Sequence, residues 1–390
     1  MKRTLAWVMS MAVYGGASGS TWTVDDDAQW LTGQLVQASA NHEIPAMGAA
    51  VFTKDHILEM VVTGVRASDR PEKVTTADIW HLGSCTKAMT ATLAAMLVAD
   101  GTIAWETSLG DVFGDEIDQG WADVTLKQLV TQCSGFPKGS PSMAYWSDER
   151  PIQEQRTAHS IEVLSSPPTR GPGELYEYSN DNYIIAGAML EHATGESWES
   201  LMRRRVFVPL GMKSAGFGPP PSDRQAPTQP LGHYETGEPA EPIKIADNPP
   251  VLGPAGTVYA SIEDWIKFLQ GHLAGGTGDA SLIDAKAYGS LQTPAAGNAM
   301  PGMPGMEYAS GWIALPTGFG RALLHDGSNT GWYCIVWLLP DVDLGFLIVC
   351  NGAFERGQAA CGEVSGQLLG SVNSRWLEAA TLVRNQNQDK

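Results

Sequence analysis

The segment Ser84-Cys85-Thr86-Lys87 holds a hydroxyl and an amine at a spacing that suits nucleophilic chemistry. It opens an apolar stretch predicted to be a helix, and residues three apart on a helix share one face. The amine of Lys87 can therefore reach the hydroxyl of Ser84. Burial lowers the pKa of a lysine, so that the neutral amine can accept a proton. The alternative is a chance match, in which a helix-capping serine precedes a surface lysine.

A second candidate set, Tyr178 and Asn180, comes just before another apolar pattern that predicts a helix. A tyrosine can act as a base if a nearby cation lowers its pKa, and Lys87 is a candidate for that cation. The side chain of Asn180 is suited to holding either a substrate carbonyl or the lysine. The alternative is a loop at the start of a helix, with a tyrosine that is simply packed.

The third candidate is the run His325-Asp326-Gly327-Ser328-Asn329, which follows an apolar strand pattern. A glycine at a strand edge lets a ligand come close to the backbone. The amide of Ser328 could pair with that of Ser84 to stabilise an oxyanion. The alternative is a strand that ends in a turn with a surface histidine.

Sequence motifs typical of other enzyme chemistries are absent from this chain. It contains no G-x-S-x-G, H-E-x-x-H or phosphate-loop motif and no C-x-x-C pair. We therefore expect neither a metal nor an organic cofactor. The net charge of −18 argues against nucleic-acid binding. Of the five cysteines, Cys334 and Cys350 lie in apolar runs joined by a turn, so a disulfide and two buried thiols both remain open.

The elements that must position these residues fall into a simple order. Apolar runs predict strands at 47–53, 57–64, 78–82, 309–315, 321–325, 332–339 and 344–350, with helical periodicity between the two groups. This order indicates an α+β fold, an antiparallel sheet flanked by N- and C-terminal helices with an all-helical domain inserted. We assign residues 20–106 and 255–390 to the sheet-and-helix domain and 107–254 to the insertion. Its proline-rich stretch 216–256 either walls a pocket or is a solvated linker.

Residues 1–19 have the composition of a signal peptide. A charged start precedes a short apolar stretch and a zone of small residues, with cleavage expected near Ser20. This predicts a periplasmic or secreted protein, and the alternative is an ordinary first helix of a cytoplasmic one. The apolar stretch is too short to span a bilayer, and no later stretch is long enough. We therefore expect no stable membrane insertion.

Taken in order, Ser84-x-x-Lys87, Tyr178-x-Asn180 and His325-x-Gly327 resemble the three motifs of class C β-lactamases. The same motifs occur in their relatives, the D-alanyl-D-alanine carboxypeptidases, D-aminopeptidases and family VIII carboxylesterases. Three further segments resemble the superfamily at 125–137, 207–212 and 253–256, so the likeness covers roughly residues 28 to 355. Six motifs in the right order make a chance match improbable.

The resemblance implies a β-lactamase/transpeptidase-like fold and a serine hydrolase that works through an acyl-enzyme. It makes Ser84 the nucleophile and gives Lys87 and Tyr178 the proton transfer. It gives Ser84 and Ser328 the oxyanion amides. Asn180 and the segment with His325 and Gly327 then line the substrate pocket.

The chain departs from class C β-lactamases at the third motif, where His325-Asp326-Gly327 replaces K-T-G. A histidine is largely neutral near pH 7, and Asp326 adds negative charge. Both changes disfavour carboxylate-bearing substrates and efficient β-lactam hydrolysis. We expect a carboxylesterase-type enzyme for a small ester or amide. The alternatives are a carboxypeptidase or aminopeptidase for a D-amino-acid substrate, a weak β-lactamase, and a non-catalytic penicillin-recognising sensor.

Overall fold

A seven-stranded antiparallel sheet forms the frame of the molecule, in the strand order β2-β1-β10-β9-β8-β7-β6. The computed structural model describes residues 24–137, 139, 143–168, 170–171, 173, 175–243, 246–276, 281–295 and 298–388. The predicted signal peptide at 1–19 lies outside them. The strands are β1 (Ala46–Phe52), β2 (Ile57–Gly64), β3 (Ile79–His81), β4 (Gly216–Phe217), β5 (Val258–Ser261), β6 (Glu307–Tyr308), β7 (Ile313–Thr317), β8 (Gly320–Asn329), β9 (Trp332–Leu339) and β10 (Leu344–Cys350).

Helices cover both faces of this sheet. They are α1 (Val24–His42), α2 (Thr86–Ala99), α3 (Leu109–Phe113), α4 (Leu126–Val130), α5 (Ile152–Leu164), α6 (Asn180–Thr194), α7 (Trp198–Met202), α8 (Gly253–Gly256), α9 (Ile262–Leu273), α10 (Ala285–Gln292), α11 (Phe354–Ser371) and α12 (Leu377–Gln388). α1 and α11 pack on one face and α9 on the other, while α2 packs against α6, α8 and α10. The expected α+β architecture is confirmed.

The apolar patterns place the central strands correctly because these strands are buried along their whole length. Every residue of β1 and β10 is buried, and the two strands pair antiparallel from Met47 to Phe52. β9 and β10 have the predicted bounds. β7 and β8 are the exceptions, since β7 begins at Ile313 rather than Ala309 and β8 continues to Asn329 rather than ending at His325. The chain bends at Gly311, where a Cβ would lie 2.5 Å from the Cα of Ala88.

A second sheet of three short strands, in the order β3-β5-β4, lies beside the site. β3 ends at His81, three residues before Ser84, and pairs with β5. The proline-rich stretch enters this sheet through β4. Its described residues from 218 to 249 form no α-helix or β-strand.

Cys334 and Cys350 do not form the disulfide that the sequence left open. Cys334 is opposite Val349 in the sheet and Cys350 is opposite Tyr333, so the two side chains point to different faces. The sulfur of Cys334 lies 3.7 Å from that of Cys85, and the thiol of Cys361 contacts Cys350. All five cysteines are free thiols.

None of the helices among the described residues combines the length and the apolar character that crossing a membrane requires.

Candidate active site

Ser84 lies in a single 3-10 turn, Gly83–Cys85, immediately before α2. The sequence predicted that the helix itself would begin at Ser84, but it begins at Thr86. Gly83 adopts a φ of +47°, a backbone region that side chains disfavour, and so turns the chain sharply out of β3. The Ser84 side chain is half-buried, while its neighbours in the turn are buried.

Lys87 is fully buried and makes three hydrogen bonds. Its Nζ lies 3.0 Å from Oγ of Ser84, 2.8 Å from Oδ1 of Asn180 and 2.7 Å from the carbonyl oxygen of Ala255. Burial lowers the pKa of Lys87 to about 7. Both the neutral and the charged amine are therefore populated near neutral pH.

The partners of Lys87 also decide where its lone pair points. A neutral amine has two N–H groups and one lone pair. Asn180 Oδ1 and the Ala255 carbonyl can only accept, so they take the two N–H groups. The lone pair then faces the Ser84 hydroxyl, which can donate its proton. This arrangement holds Lys87 ready as a general base for Ser84.

Tyr178 is buried beside the same hydroxyl and forms a hydrogen bond with Ser84. The Lys87 Nζ lies 4.9 Å from the centre of the Tyr178 ring. Burial raises the pKa of Tyr178 well above its ordinary value, and the bond to Ser84 only partly opposes this. The expectation that Lys87 would make this tyrosine a base is therefore wrong for the resting site. Tyr178 is protonated and suited to donating a proton.

Asn180 is the first residue of α6, and a local hydrogen-bond network fixes the start of that helix. The hydroxyl of Ser179 caps it by accepting from the Asp181 amide. Oε1 of Gln132 accepts from the amide of Ser179 at 2.9 Å and also from the side chain of Asn182. These bonds hold the Asn180 side chain against Lys87.

The two predicted oxyanion amides lie on backbone segments that nearly touch. A Cβ on Gly327 would lie 2.0 Å from the carbonyl oxygen of Leu82 and 3.0 Å from the amide nitrogen of Ser84. A Cβ on Gly83 would lie 2.5 Å from the amide nitrogen of Ser328. β7 pairs with β8 only as far as Leu324, so the rest of β8 is left to face the serine turn.

His325 lies behind Tyr178 rather than open to the pocket. The residue is only 2% exposed, and its ring centre is 6.4 Å from that of the Tyr178 ring. Nδ1 donates to the carbonyl oxygen of Asp326 at 2.7 Å, so Nε2 accepts from the Tyr308 hydroxyl at 3.2 Å. Burial lowers the pKa of His325 to about 4, which keeps the imidazole neutral near pH 7.

A comparison with known families gives this site its context. A sequence model of the family described as Beta-lactamase matches residues 31–363. The chain belongs to the Beta-lactamase family. It is therefore a serine hydrolase of the β-lactamase and penicillin-binding protein superfamily, as the six motifs predicted.

Three relatives illustrate the range of this family. The chain is 25% identical to an unguisins hydrolase of Aspergillus violaceofuscus, matching 85% of this chain and 63% of that protein. It is 27% identical to penicillin-binding protein 4 of Amycolatopsis lactamdurans, over 84% of this chain and 86% of the relative. A D-aminopeptidase of Brucella anthropi is 31% identical, over 48% of this chain and 33% of its own length.

Solved structures confirm the fold. A β-lactamase/D-alanine carboxypeptidase from Pseudomonas syringae superposes with a TM-score of 0.72 at 19% identity. The match covers 89% of this chain and 98% of that one. Among the described residues, no group of three or more His, Cys, Asp or Glu side chains could hold a metal ion.

Sequence reasoning missed two members of this β-lactamase-family site. The carbonyl of Ala255 holds the amine of Lys87, but a backbone acceptor has no side-chain signature. Tyr308 bonds Nε2 of His325 from a two-residue strand too short to produce a periodic pattern. The G-x-A-G likeness at 253–256 was the one signal that pointed to the first of these.

Proposed function

We propose that this chain is a carboxylesterase-type hydrolase of small neutral esters that forms an acyl-enzyme on Ser84. The observation that carries the proposal is the bonding of Lys87, whose two acceptor partners direct its lone pair at the Ser84 hydroxyl. The lowered pKa of Lys87, about 7, supplies the neutral base. Covalent catalysis by serine requires such an adjacent base.

The site supports the following sequence of steps. Oγ of Ser84 attacks the ester carbonyl carbon while its proton passes to Nζ of Lys87. The amides of Ser84 and Ser328 stabilise the oxyanion. The carbon–oxygen bond to the leaving group then breaks, and the alkoxide takes a proton from the Tyr178 hydroxyl, which the Lys87 ammonium reprotonates. Water next attacks the acyl carbon and gives its proton to Lys87. The bond from the acyl carbon to Oγ of Ser84 then breaks, the Lys87 ammonium returns the proton to that oxygen, and the acid is released.

The third motif supports a substrate without a carboxylate. The position that lysine occupies in K-T-G holds the neutral imidazole of His325. Next to it, Asp326 is half-buried, with one carboxylate oxygen accepting from the Tyr333 hydroxyl at 2.9 Å. Its negative charge raises the pKa values of Lys87 and Tyr178, although burial dominates both. A substrate anion in this field is repelled.

The same charge favours a second candidate, an amide substrate with a free ammonium group. Asp326 would attract such a group, as in a peptide with a D-residue at its N-terminus. The similarity to a D-aminopeptidase supports this candidate over part of the chain. A D-alanyl-D-alanine carboxypeptidase or an efficient β-lactamase fits less well, because their substrates carry a carboxylate. A non-catalytic sensor is disfavoured, because the chain has all three of Ser84, Lys87 and Tyr178.

A matched substrate panel tests the proposal. Purified wild type and Ser84→Ala are assayed with p-nitrophenyl butyrate, D-alanine p-nitroanilide and a monoester of succinic acid, with Ser165→Ala as a control at an exposed serine. We expect the neutral ester to be turned over fastest by wild type and Ser165→Ala, and Ser84→Ala to be inactive. Preference for the D-alanine amide would favour the second candidate. Equal turnover by Ser84→Ala would contradict both.

We also propose that the protein is exported, on the basis of residues 1–19 alone. Cell fractionation followed by N-terminal sequencing checks this. A mature start near Ser20 in the periplasm or medium is expected. An intact Met1 on cytoplasmic protein would overturn the proposal.

A further inference from the structure

Three buried polar side chains that the mechanism does not use lie behind the serine turn. His81 is the last residue of β3, Asn329 is the last residue of β8, and Asp247 belongs to the proline-rich stretch. Their exposed fractions are 1%, 7% and 3% respectively. Polar groups buried this deeply are costly unless they are bonded to one another, so their arrangement is informative.

The hydrogen bonds of His81 assign its tautomer. The amide of Gly83 donates to Nδ1 of His81 at 3.0 Å. Because a backbone amide only donates, Nδ1 carries no proton and the neutral ring is protonated on Nε2. Nε2 lies 3.3 Å from Oδ1 of Asp247, an ion-pair distance, and 3.0 Å from the side-chain amide of Asn329. The negative charge of Asp247 on this side of the ring favours the proton on Nε2 and so leaves Nδ1 free to accept from Gly83.

The same carboxylate oxygen binds the end of β8. Nδ2 of Asn329 donates to Oδ1 of Asp247, and the amide of Asn248 donates to it at 2.7 Å. One oxygen atom therefore ties together three backbone segments. Oδ2 of Asp247 is buried and makes no hydrogen bond to the described residues.

The two segments tied to Asp247 are those that carry the oxyanion amides. Gly83 directly precedes Ser84, and Asn329 directly follows Ser328. We propose that Asp247 is a positioning residue, which sets the spacing of the Ser84 and Ser328 amides through His81 and Asn329. This inference rests on the proposed function, since it presumes that an oxyanion forms at these amides.

The chemistry of a substitution follows from this arrangement. In Asp247→Asn one amide oxygen can still accept, but the charge that strengthens each bond is lost. The new NH₂ group takes the place of Oδ2, an atom that makes no hydrogen bond to the described residues. The preference for a proton on Nε2 of His81 weakens, and the other tautomer sets an N–H against the Gly83 amide. The serine turn then shifts relative to β8.

A comparison of an ester with its thionoester tests this role. Sulfur is larger than oxygen and a weaker acceptor, so well-placed oxyanion donors favour the oxygen ester strongly. We expect Asp247→Asn to lower kcat for the ester by about 10- to 100-fold. This is a smaller loss than removing one oxyanion donor completely, which lowers kcat by about 10²- to 10³-fold. KM should change by less than about threefold and the thionoester rate little, so the ester-to-thionoester ratio falls about tenfold or more.

A control and a second variant keep the test decisive. Trp146→Phe removes the Nε1 donor that bonds the main-chain oxygen of Asp247 at 2.8 Å, and it leaves the carboxylate in place. Its ester-to-thionoester ratio should equal that of wild type. If Asp247→Asn does not fold, Asn329→Ala is read by the same ratio. An equal loss on both substrates would mark a merely structural role and overturn the inference.

Failure of this inference is distinguishable from failure of the proposed function. If wild type hydrolyses no ester or amide, the proposed function is wrong. The rate at which a fluorophosphonate labels Ser84 then replaces turnover, because its phosphoryl oxygen uses the same amides. Slower labelling of Asp247→Asn, with Trp146→Phe unchanged, would support the inference. Equal labelling of Asp247→Asn and wild type would overturn it.

Discussion

Lys87 and Tyr178 are both buried beside Ser84, and burial acts on their pKa values in opposite directions. It disfavours the charged form of each group, so the pKa of the lysine falls and that of the tyrosine rises. The result near neutral pH is a partly deprotonated amine and a protonated phenol beside one hydroxyl. The first can remove a proton from Ser84 and the second can deliver one to the leaving group.

This division of roles predicts the behaviour of Tyr178→Phe. The variant keeps the ring that packs beside Lys87 but loses the proton donor. We expect kcat to fall by about 10²-fold with KM changed little, because general acid catalysis is lost. Esters with very acidic leaving groups, such as p-nitrophenol, should be affected less than alkyl esters. The matched control is Tyr145→Phe, whose hydroxyl bonds Glu162 instead. An equal loss for both leaving groups would contradict the assignment.

At the scale of the elements, the close packing of β8 against the serine turn is what aligns the site. Gly327 permits this approach, because any Cβ there would collide with the carbonyl of Leu82. Backbone atoms cannot move aside as a flexible side chain can. The distance between the two oxyanion amides is therefore set by a contact between main chains.

Gly327→Ala should separate these elements. We expect kcat to fall by about 10²-fold or more as an oxyanion donor is displaced, and stability to fall by about 1–3 kcal/mol from overpacking. Steady-state kinetics and urea denaturation measure the two effects. Gly318→Ala is the control, since a Cβ there meets nothing within 4 Å. Wild-type activity in Gly327→Ala would show that the amides are not held by this contact.

The sequence allowed the central elements and the main catalytic side chains to be predicted, but not the way they meet. β9 and β10 follow from unbroken apolar runs, and Ser84 and Lys87 follow from their spacing. The bond from Lys87 to the Ala255 carbonyl depends on how α8 packs against α2, and residue types alone do not indicate that packing. The raised pKa of Tyr178 depends on burial from all sides, and the His81–Asp247–Asn329 cluster joins residues up to 248 positions apart. The division into two domains remains a prediction.

At the scale of the whole molecule, burial of neutral histidines should make the fold sensitive to acid. Burial lowers the pKa values of His233 and His325 to about 4 and that of His272 to about 3. His233 bridges two loops, accepting from the amide of Ser68 at 2.9 Å and contacting the carbonyl of Asn351 at 2.9 Å. In the unfolded chain each histidine titrates near pH 6.5.

The sign of the pH effect follows from these values. Between about pH 6.5 and 4 the unfolded chain binds more protons than the folded one. The free energy of unfolding contributed by keeping these histidines neutral is fully present above pH 6.5. It falls with decreasing pH by up to about 1.4 kcal/mol per pH unit for each histidine. Urea denaturation at pH 7, 5.5 and 4.5 measures it. His272→Gln should flatten this dependence and the exposed His192→Gln should not. Identical slopes in both variants would refute the explanation.

The most direct test of the account is the pH dependence of Ser84 acylation in wild type and Lys87→Ala, with the adduct located by peptide mass spectrometry. We expect an adduct on Ser84 whose rate of formation in wild type rises through a pKa of about 7. Lys87→Ala should react at least about 10²-fold more slowly and show no such rise. A near-normal rate in Lys87→Ala, or an adduct on another residue, would contradict the central claim that Lys87 activates Ser84.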